Sequence, residues 1–472
     1  MGKSGHGTLF SAVGAVAALG LTTLAGCTGG GSAASAHATI TVNAPTSLAD
    51  QALRITVSGL APGDTITVTG TATDFHDQRW QSHATFLADS HGDLDLSKTA
   101  PLSGSYSGVD GMGLFWSMNP PPGSADPGFI PSYESALVDG ALPAVPVRLT
   151  VTAHGTRLAQ RTLTREWMGR GVRGAPVTLA ADSVSGQLFL PPKGTARHPA
   201  VLIFGGSEGG DSQEFGAAVL ASHGYPALSL AYFDTPGLPP TLQNIPLEYF
   251  ARAARLLASE PGVDPAHIVA CGYSRGSEAA LLLGADYSSL IHGVIVYSPA
   301  DMVHPGLPSG VAWRYQGKPV PVGSPIPVSL INGPVLAIAG ADDELWPSAP
   351  SVQTIANELD AAHDRYAHRS LIYPGAGHLV GTYPYQPGAT TGTDFNGDVL
   401  RLGGSRAADD AAQERGWPQV LSFLASLLRR RPVLVRRVVA GVDDELRAVP
   451  GRVARVVDAE LVAVGLLHHL AV

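Results

Sequence analysis

The sequence predicts an α/β protein in two parts: a β-sandwich, then a mostly parallel sheet with helices on both faces. Three observations lead there. Short runs of alternating polarity fill the stretch from Ala38 to about Glu166, and continuous apolar runs separated by helical stretches fill the rest as far as Leu428. The change between the two patterns falls near residues 167–175. A two-residue period marks strands buried on one face, whereas unbroken apolar strands alternating with helices mark a sheet covered on both.

In the first part the runs are 40–42, 53–57, 65–68 and 147–151, with turn residues such as Pro62-Gly63-Asp64 between them. Their spacing predicts an antiparallel sandwich over residues 38–170. In the second part, residues 171–428, the apolar strands are 200–204, 227–230, 268–271, 294–297 and 335–339, and 370–373 is a further strand. Helical stretches fall at 247–257, 277–283, 351–362 and 419–428. The arginine-rich remainder, 429–472, belongs to neither part, and its terminal His468-His469 pair reads as incidental.

Residues 1–26 begin with Lys3, continue through an apolar run from Leu9 to Leu21 and end in Leu24-Ala25-Gly26 before Cys27. That is the layout of a secretory signal. The tetrad resembles a bacterial lipobox, which implies cleavage before Cys27, lipidation of its thiol and a protein anchored outside the cytoplasmic membrane. The stretch 27–37, rich in serine and glycine, reads as a flexible tether. The apolar run is shorter than the ~20 residues of a membrane-spanning helix and holds Gly14 and Gly20.

Composition narrows the function. With 30 Lys and Arg against 39 Asp and Glu, the net charge of −9 argues against a protein that tracks nucleic-acid phosphates. Two cysteines, Cys27 and Cys271, make neither a disulfide framework nor a thiolate zinc site. His363 and His368 are five apart and share no helix face, and Asp394-Phe395-Asn396-Gly397-Asp398 lacks the later residues of a calcium loop. No metal and no cofactor are expected.

Chemistry concentrates after the apolar strand 268–271. Gly272-Tyr273-Ser274-Arg275-Gly276 is a G-x-S-x-G sequence between a strand and a helix, the setting of a nucleophile elbow. A serine nucleophile needs a base, and the base an orienting carboxylate, in the chain order Ser, Asp or Glu, His. Two later strands supply them. One ends in Gly340-Ala341-Asp342-Asp343, the other in Pro374-Gly375-Ala376-Gly377-His378, and of the 16 histidines His378 alone follows a late strand in a glycine turn. Asp343 is favoured over Asp342 because a four-residue turn from Gly340 leaves it beyond the tight part.

A tetrahedral intermediate needs backbone donors, worth about 3–4 kcal/mol each. The N–H of Arg275 is one candidate. The loop Gly205-Gly206-Ser207-Glu208-Gly209-Gly210 supplies the other, with Ser207 preferred and Gly206 its close rival. The Arg275 side chain either meets an anionic substrate group or lies in solvent.

Several longer strings resemble the family of acyl-CoA thioesterases and bile acid-CoA:amino acid N-acyltransferases. They are Trp80-Gln81-Ser82-His83-Ala84 with Ala88-Asp89, the stretch 104–118, the stretch 312–318 and Tyr373-Pro374-Gly375-Ala376-Gly377-His378. The similarity covers about residues 40–428. It implies an immunoglobulin-like sandwich, an α/β-hydrolase domain, and Ser274, Asp343 and His378 as catalytic triad. Where the amidating branch carries a cysteine nucleophile this chain has Ser274, which favours hydrolysis over transfer to an amine or alcohol acceptor. The expected partner is an acyl thioester or ester substrate, and the protein is expected to be a monomer or small homo-oligomer. The lipobox and the tail from Arg429 depart from the family pattern, and export separates the protein from cytosolic acyl-CoA.

Overall fold

The computed structural model describes residues 38–124, 128–131, 137–381, 383–393 and 399–428. The leader, Cys27 and its tether, the stretch 394–398 and the tail 429–472 lie outside the described residues.

The first part holds β1 (Thr39–Val42), β2 (Thr46–Leu48), β3 (Ile55–Ser58), β4 (Thr65–Thr73), β5 (Arg79–Leu87), β6 (Leu94–Asp95), β7 (Ser103–Gly104), the short helix α1 (Gly113–Trp116), β8 (Val145–Ala153) and β9 (Thr156–Glu166). They form two sheets, in the orders β1-β3-β6 and β2-β9-β8-β4-β5-β7. The alternation read from the sequence is real: every second residue of β4 and β8 is buried. All of these pairs are antiparallel except β2 with β9, which is parallel, so the larger sheet is mixed rather than wholly antiparallel. Strand β9 escapes the sequence pattern because its inward face carries Arg165. That guanidinium is buried and donates to Ser47 Oγ (2.6 Å) and to the carbonyls of Ala49 (2.6 Å) and Gln51 (2.9 Å).

The chain leaves these sheets at Glu166 and enters the next at β10 (Arg173–Val177). There follow α2 (Leu179–Asp182), β11 (Ser185–Leu190), β12 (His198–Phe204), α3 (Glu214–Ser222), β13 (Ala227–Ala231), β14 (Ile245–Pro246), α4 (Leu247–Ser259), β15 (Val263–Tyr273), α5 (Arg275–Asp286), β16 (Gly293–Tyr297), β17 (Trp313–Tyr315), β18 (Lys318–Pro319), β19 (Val335–Gly340), α6 (Ser348–Ala361), β20 (His368–Tyr373), β21 (Thr391–Thr393), β22 (Val399–Arg401) and α7 (Arg406–Leu428). Eight of the strands make one sheet in the order β10-β11-β13-β12-β15-β16-β19-β20. From β13 to β20 every pair is parallel, and β10 and β11 complete one edge antiparallel. β13, β16 and β19 are buried at every residue, as expected of a sheet covered on both sides.

Side chains of β12 and β15 such as Ile203 and Val269 pack with α3 and α7 on one face. Their neighbours Leu202 and Ala270 pack with α4, α5 and α6 on the other. The α3 and α7 layer is continuous with the core of the first sheets, so the described residues form one compact unit. The longest helix, α7, begins well before the expected position 419 and runs through Pro418. A proline interrupts the helical hydrogen bonding, but Trp417, Val420, Phe423 and Leu424 around it are buried and hold the helix in line. At the start of α7, Arg406 donates to Asn119 Oδ1 (2.7 Å) and to the carbonyls of Trp116 (2.7 Å) and Met118, all in the first part. Among the described residues no helix is long and apolar enough to cross a membrane.

Candidate active site

The sheet order fixes where a site can form. From β12 the chain moves to β13 on one side, and from β15 to β16 on the other, so the C-terminal ends of the adjacent strands β12 and β15 form a topological switch point. Ligands of open α/β sheets bind at such a switch point. Ser274 follows β15 there, and the loop Gly205 to Gly210 follows β12.

Ser274 sits between β15 and α5 with φ +49° and ψ −120°, a conformation few residues other than glycine adopt. Its N–H donates to the Tyr297 carbonyl at the end of β16 (3.0 Å). The glycines of the motif are there for space. A Cβ on Gly272 would lie 2.2 Å from the Gly276 carbonyl oxygen, and one on Gly276 would lie 2.2 Å from that of Gly205. Strand, turn and helix can therefore close on one another only with both positions bare.

The loop after β12 runs against the same turn: a Cβ on Gly206 would come 2.8 Å from that of Ser274. The carbonyls of Gly205 and Gly206 accept from the Tyr232 hydroxyl (3.0 and 2.6 Å), which burial keeps protonated and a donor. The Gly206 N–H is turned back onto both oxygens of the Glu208 carboxylate (2.9 Å each), itself held by Ser212 Oγ (2.7 Å). That amide is committed within its own loop, and Ser207 is the next along the chain. Arg275 opens α5 directly after Ser274.

Asp343 and His378 meet across the ends of β19 and β20. His378 Nδ1 lies 2.8 Å from Asp343 Oδ2, and both side chains are almost wholly buried. Three further donors hold the carboxylate: Ser348 Oγ (2.6 Å) and the N–H groups of Leu345 (2.9 Å) and Trp346 (3.3 Å). Asp342 is exposed, and its N–H donates to Ala376 (2.9 Å), so it serves the turn. The His378 segment is fixed by its own N–H to the Leu402 carbonyl (2.8 Å), by Ser298 Oγ to the His378 carbonyl (2.6 Å) and by the Gly377 N–H to Asp409 Oδ1 (2.7 Å). Burial pushes the Asp409 carboxyl up to about 6, with the nearby Asp343 charge adding to the shift. Since Ser274 hangs on Tyr297 and His378 on Ser298, the end of β16 brings both loops to one place.

The side chain of Arg275 corrects both readings made of it. It is neither free for a substrate nor solvated, but buried, with Nε 2.9 Å from Glu278 and Nη1 and Nη2 donating to the carbonyls of Pro305 (2.8 Å) and His304 (3.1 Å). Glu278, one turn further along α5, is fully buried. Sequence reasoning missed Glu278, Glu208, Tyr232, Ser348 and Asp409. Only Glu278 carries a signal: it is a lone charge flush against the apolar run Ala279-Ala280-Leu281-Leu282-Leu283, three residues from an arginine. Among the described residues no group of three or more His, Cys, Asp or Glu side chains is placed to hold a metal ion.

Two family profiles match the chain. Residues 50–179 match the acyl-CoA thioester hydrolase/BAAT N-terminal region, and residues 313–430 the BAAT/acyl-CoA thioester hydrolase C terminal. Acyl-coenzyme A thioesterase 6 of Mus musculus is 31% identical over 406 residues, covering 80% of this chain and 94% of its own. Peroxisomal succinyl-coenzyme A thioesterase of Mus musculus is 31% identical with the same coverage, and Acyl-coenzyme A amino acid N-acyltransferase 2 of Mus musculus is 30% identical, again covering 80% and 94%. Among solved structures, an esterase of Pyrobaculum calidifontis aligns at 19% identity with a TM-score of 0.39, covering 54% of this chain and 86% of that one.

Proposed function

This chain belongs to the acyl-CoA thioester hydrolase/BAAT family, and from that membership and the geometry of its site we propose that it is a serine hydrolase of acyl thioesters or esters with Ser274 as nucleophile. The observation that carries the proposal is the Asp343–His378 contact of 2.8 Å, tethered to the same strand end as the strained turn of Ser274. An ionised carboxylate only accepts, so Asp343 holds the proton of His378 on Nδ1 and leaves Nε2 as the base.

His378 takes the Ser274 hydroxyl proton as Oγ attacks the carbonyl carbon of the substrate. The oxyanion accepts from the N–H groups of Arg275 and Ser207. Collapse breaks the bond to the leaving group, which receives the proton from His378, and an acyl-enzyme remains. Water, deprotonated by His378, then releases the acid and restores Ser274. The immunoglobulin-like description of the first sheets is part of the same proposal, supported by family membership. So is attachment outside the cytoplasmic membrane through a lipid on Cys27, which rests on the lipobox-like tetrad. Transfer of the acyl group to an amine or alcohol is a second reading, favoured by the N-acyltransferase among the relatives.

The test is thiol release from a long-chain acyl-CoA by residues 28–472, beside an aryl ester, with Ser274→Ala as control. Activity with either substrate that disappears in Ser274→Ala, while the fold is kept, supports the proposal. Full activity in that variant overturns it. Chromatography of products formed with added glycine separates transfer from hydrolysis, and Cys27→Ser should release the protein from the membrane fraction.

A further inference from the structure

Near Asp343 and His378 the fold builds another carboxylate–imidazole pair, Glu278 with His304, that the proposed reaction does not use. Glu278 is fully buried, and its carboxylate accepts from the His304 N–H (3.2 Å) and from Trp313 Nε1 (2.8 Å), forms an ion pair with Arg275, whose Nε lies 2.9 Å from Oε1, and has His304 Nδ1 3.1 Å from the same oxygen. Arg275 also grips the carbonyls of His304 and Pro305. The segment between β16 and β17 is thereby clamped onto the first turn of α5, next to Ser274. That segment leaves from the C-terminal end of β16, the end of the sheet where Ser274 and His378 are gathered.

With Nδ1 committed to a carboxylate, the neutral imidazole carries its proton there and presents Nε2 as a bare lone pair. Nε2 has no partner among the described residues, and a third of the side chain is open. The ring is not loose on the surface. It lies 5.1 Å from the Trp346 ring, at an interplanar angle of 38°, and the Trp346 ring lies 5.9 Å from that of His378. Trp346 is itself fixed by Nε1 donating to the Ser298 carbonyl (2.9 Å). His304, Trp346 and His378 therefore form one continuous wall.

We propose that His304 is a specificity-determining residue of this site, accepting at Nε2 a hydrogen bond from a substrate hydroxyl or amide N–H that lies along Trp346. This rests on the reading of His378 as the base. The donor belongs either to the acyl group or to the leaving group, and the test separates the two.

His304→Phe keeps a ring against Trp346 and removes the acceptor. The acyl arm compares p-nitrophenyl butyrate with p-nitrophenyl 3-hydroxybutyrate. The leaving-group arm compares S-phenyl thiobutyrate with butyryl-pantetheine, which carries amide N–H groups. In one arm kcat/KM should fall at least about tenfold for the donor-bearing substrate, the worth of one good hydrogen bond, and stay within about threefold for its plain partner. His304→Gln, whose amide can donate to Glu278 and accept from the substrate, should recover part of the loss. Equal changes within both pairs overturn the proposal, whatever their size. Should His304→Phe fail to fold, His304→Leu is measured against the same criterion. Loss of activity in Ser274→Ala is checked separately, so a failure of the nucleophile assignment is not mistaken for a failure here.

Discussion

Replacing Asp343 by asparagine tests the site with little change of shape. The native carboxylate accepts on both sides, from Leu345 and Trp346 N–H at Oδ1 and from Ser348 and His378 at Oδ2. An amide can satisfy only one side as acceptor. If its oxygen turns to His378, its NH2 group faces two backbone donors, and two buried N–H groups lose their acceptor at about 1–3 kcal/mol each. If its oxygen stays on the backbone, the NH2 group faces His378 Nδ1, which must then accept. The second arrangement is favoured by about 2–6 kcal/mol. It moves the imidazole proton to Nε2 and removes the base that the proposed nucleophile Ser274 requires. The expected fall in kcat is about 10⁴-fold, or roughly 5.5 kcal/mol of barrier, with the thermal midpoint nearly unchanged. Steady-state kcat on an aryl ester, checked against Asp342→Asn, measures it. More than a tenth of the native kcat in folded Asp343→Asn, or an equal loss in Asp342→Asn, would refute the reasoning.

Other outcomes follow from the same contacts. Gly276→Ala forces a methyl to 2.2 Å from a backbone oxygen, so urea unfolding should show a loss of about 1–3 kcal/mol or more together with most of the activity. Asp410 is buried beneath the Tyr385 N–H, and burial pushes its carboxyl up to about 7. A folded-state value above the unfolded 3.8 means that its contribution is complete below pH 4 and is lost as the pH rises through 7. Asp410→Asn, which keeps an acceptor for Tyr385, should therefore nearly match the native stability to urea at pH 4 and exceed it at pH 8, by roughly 4 kcal/mol at most. Cys271 is buried, and burial pushes its thiol far up. It should resist iodoacetamide in the folded protein and react in urea; rapid labelling of the native protein would contradict this placement.

The parts of this molecule that read directly from the sequence are those whose signal is local. A strand running into Gly272-Tyr273-Ser274-Arg275-Gly276 and then a helix leaves little freedom, because each glycine is required by a backbone only 2.2 Å from where its Cβ would be. The turn at Gly340 likewise leaves Asp342 exposed and brings Asp343 to His378. Arg275 shows the opposite case. Its burial depends on Glu278 and on carbonyls about thirty residues away, so no local pattern distinguishes it from a solvated arginine. Helix α7 extends past the 419–428 that the local pattern predicts because the packing of Trp417, Phe423 and Leu424 that carries it through Pro418 is tertiary. Strand β9 was hidden by an inward arginine whose partners lie in and just after β2.

The Arg406 bridge has a consequence for how this protein can be divided. The guanidinium that caps off the carbonyls of residues 116 and 118 stands three residues before Asp409, the carboxyl that holds the peptide in front of His378. Cutting the chain near residue 170 would remove the acceptors that fix Arg406 at the foot of the helix whose Asp409 holds the peptide before His378. The two parts are therefore not a catalyst with a detachable accessory. A shuffled gene that kept only the second would inherit Ser274, Asp343 and His378, the proposed reacting groups, and lose the brace at the foot of the helix that holds the peptide before one of them.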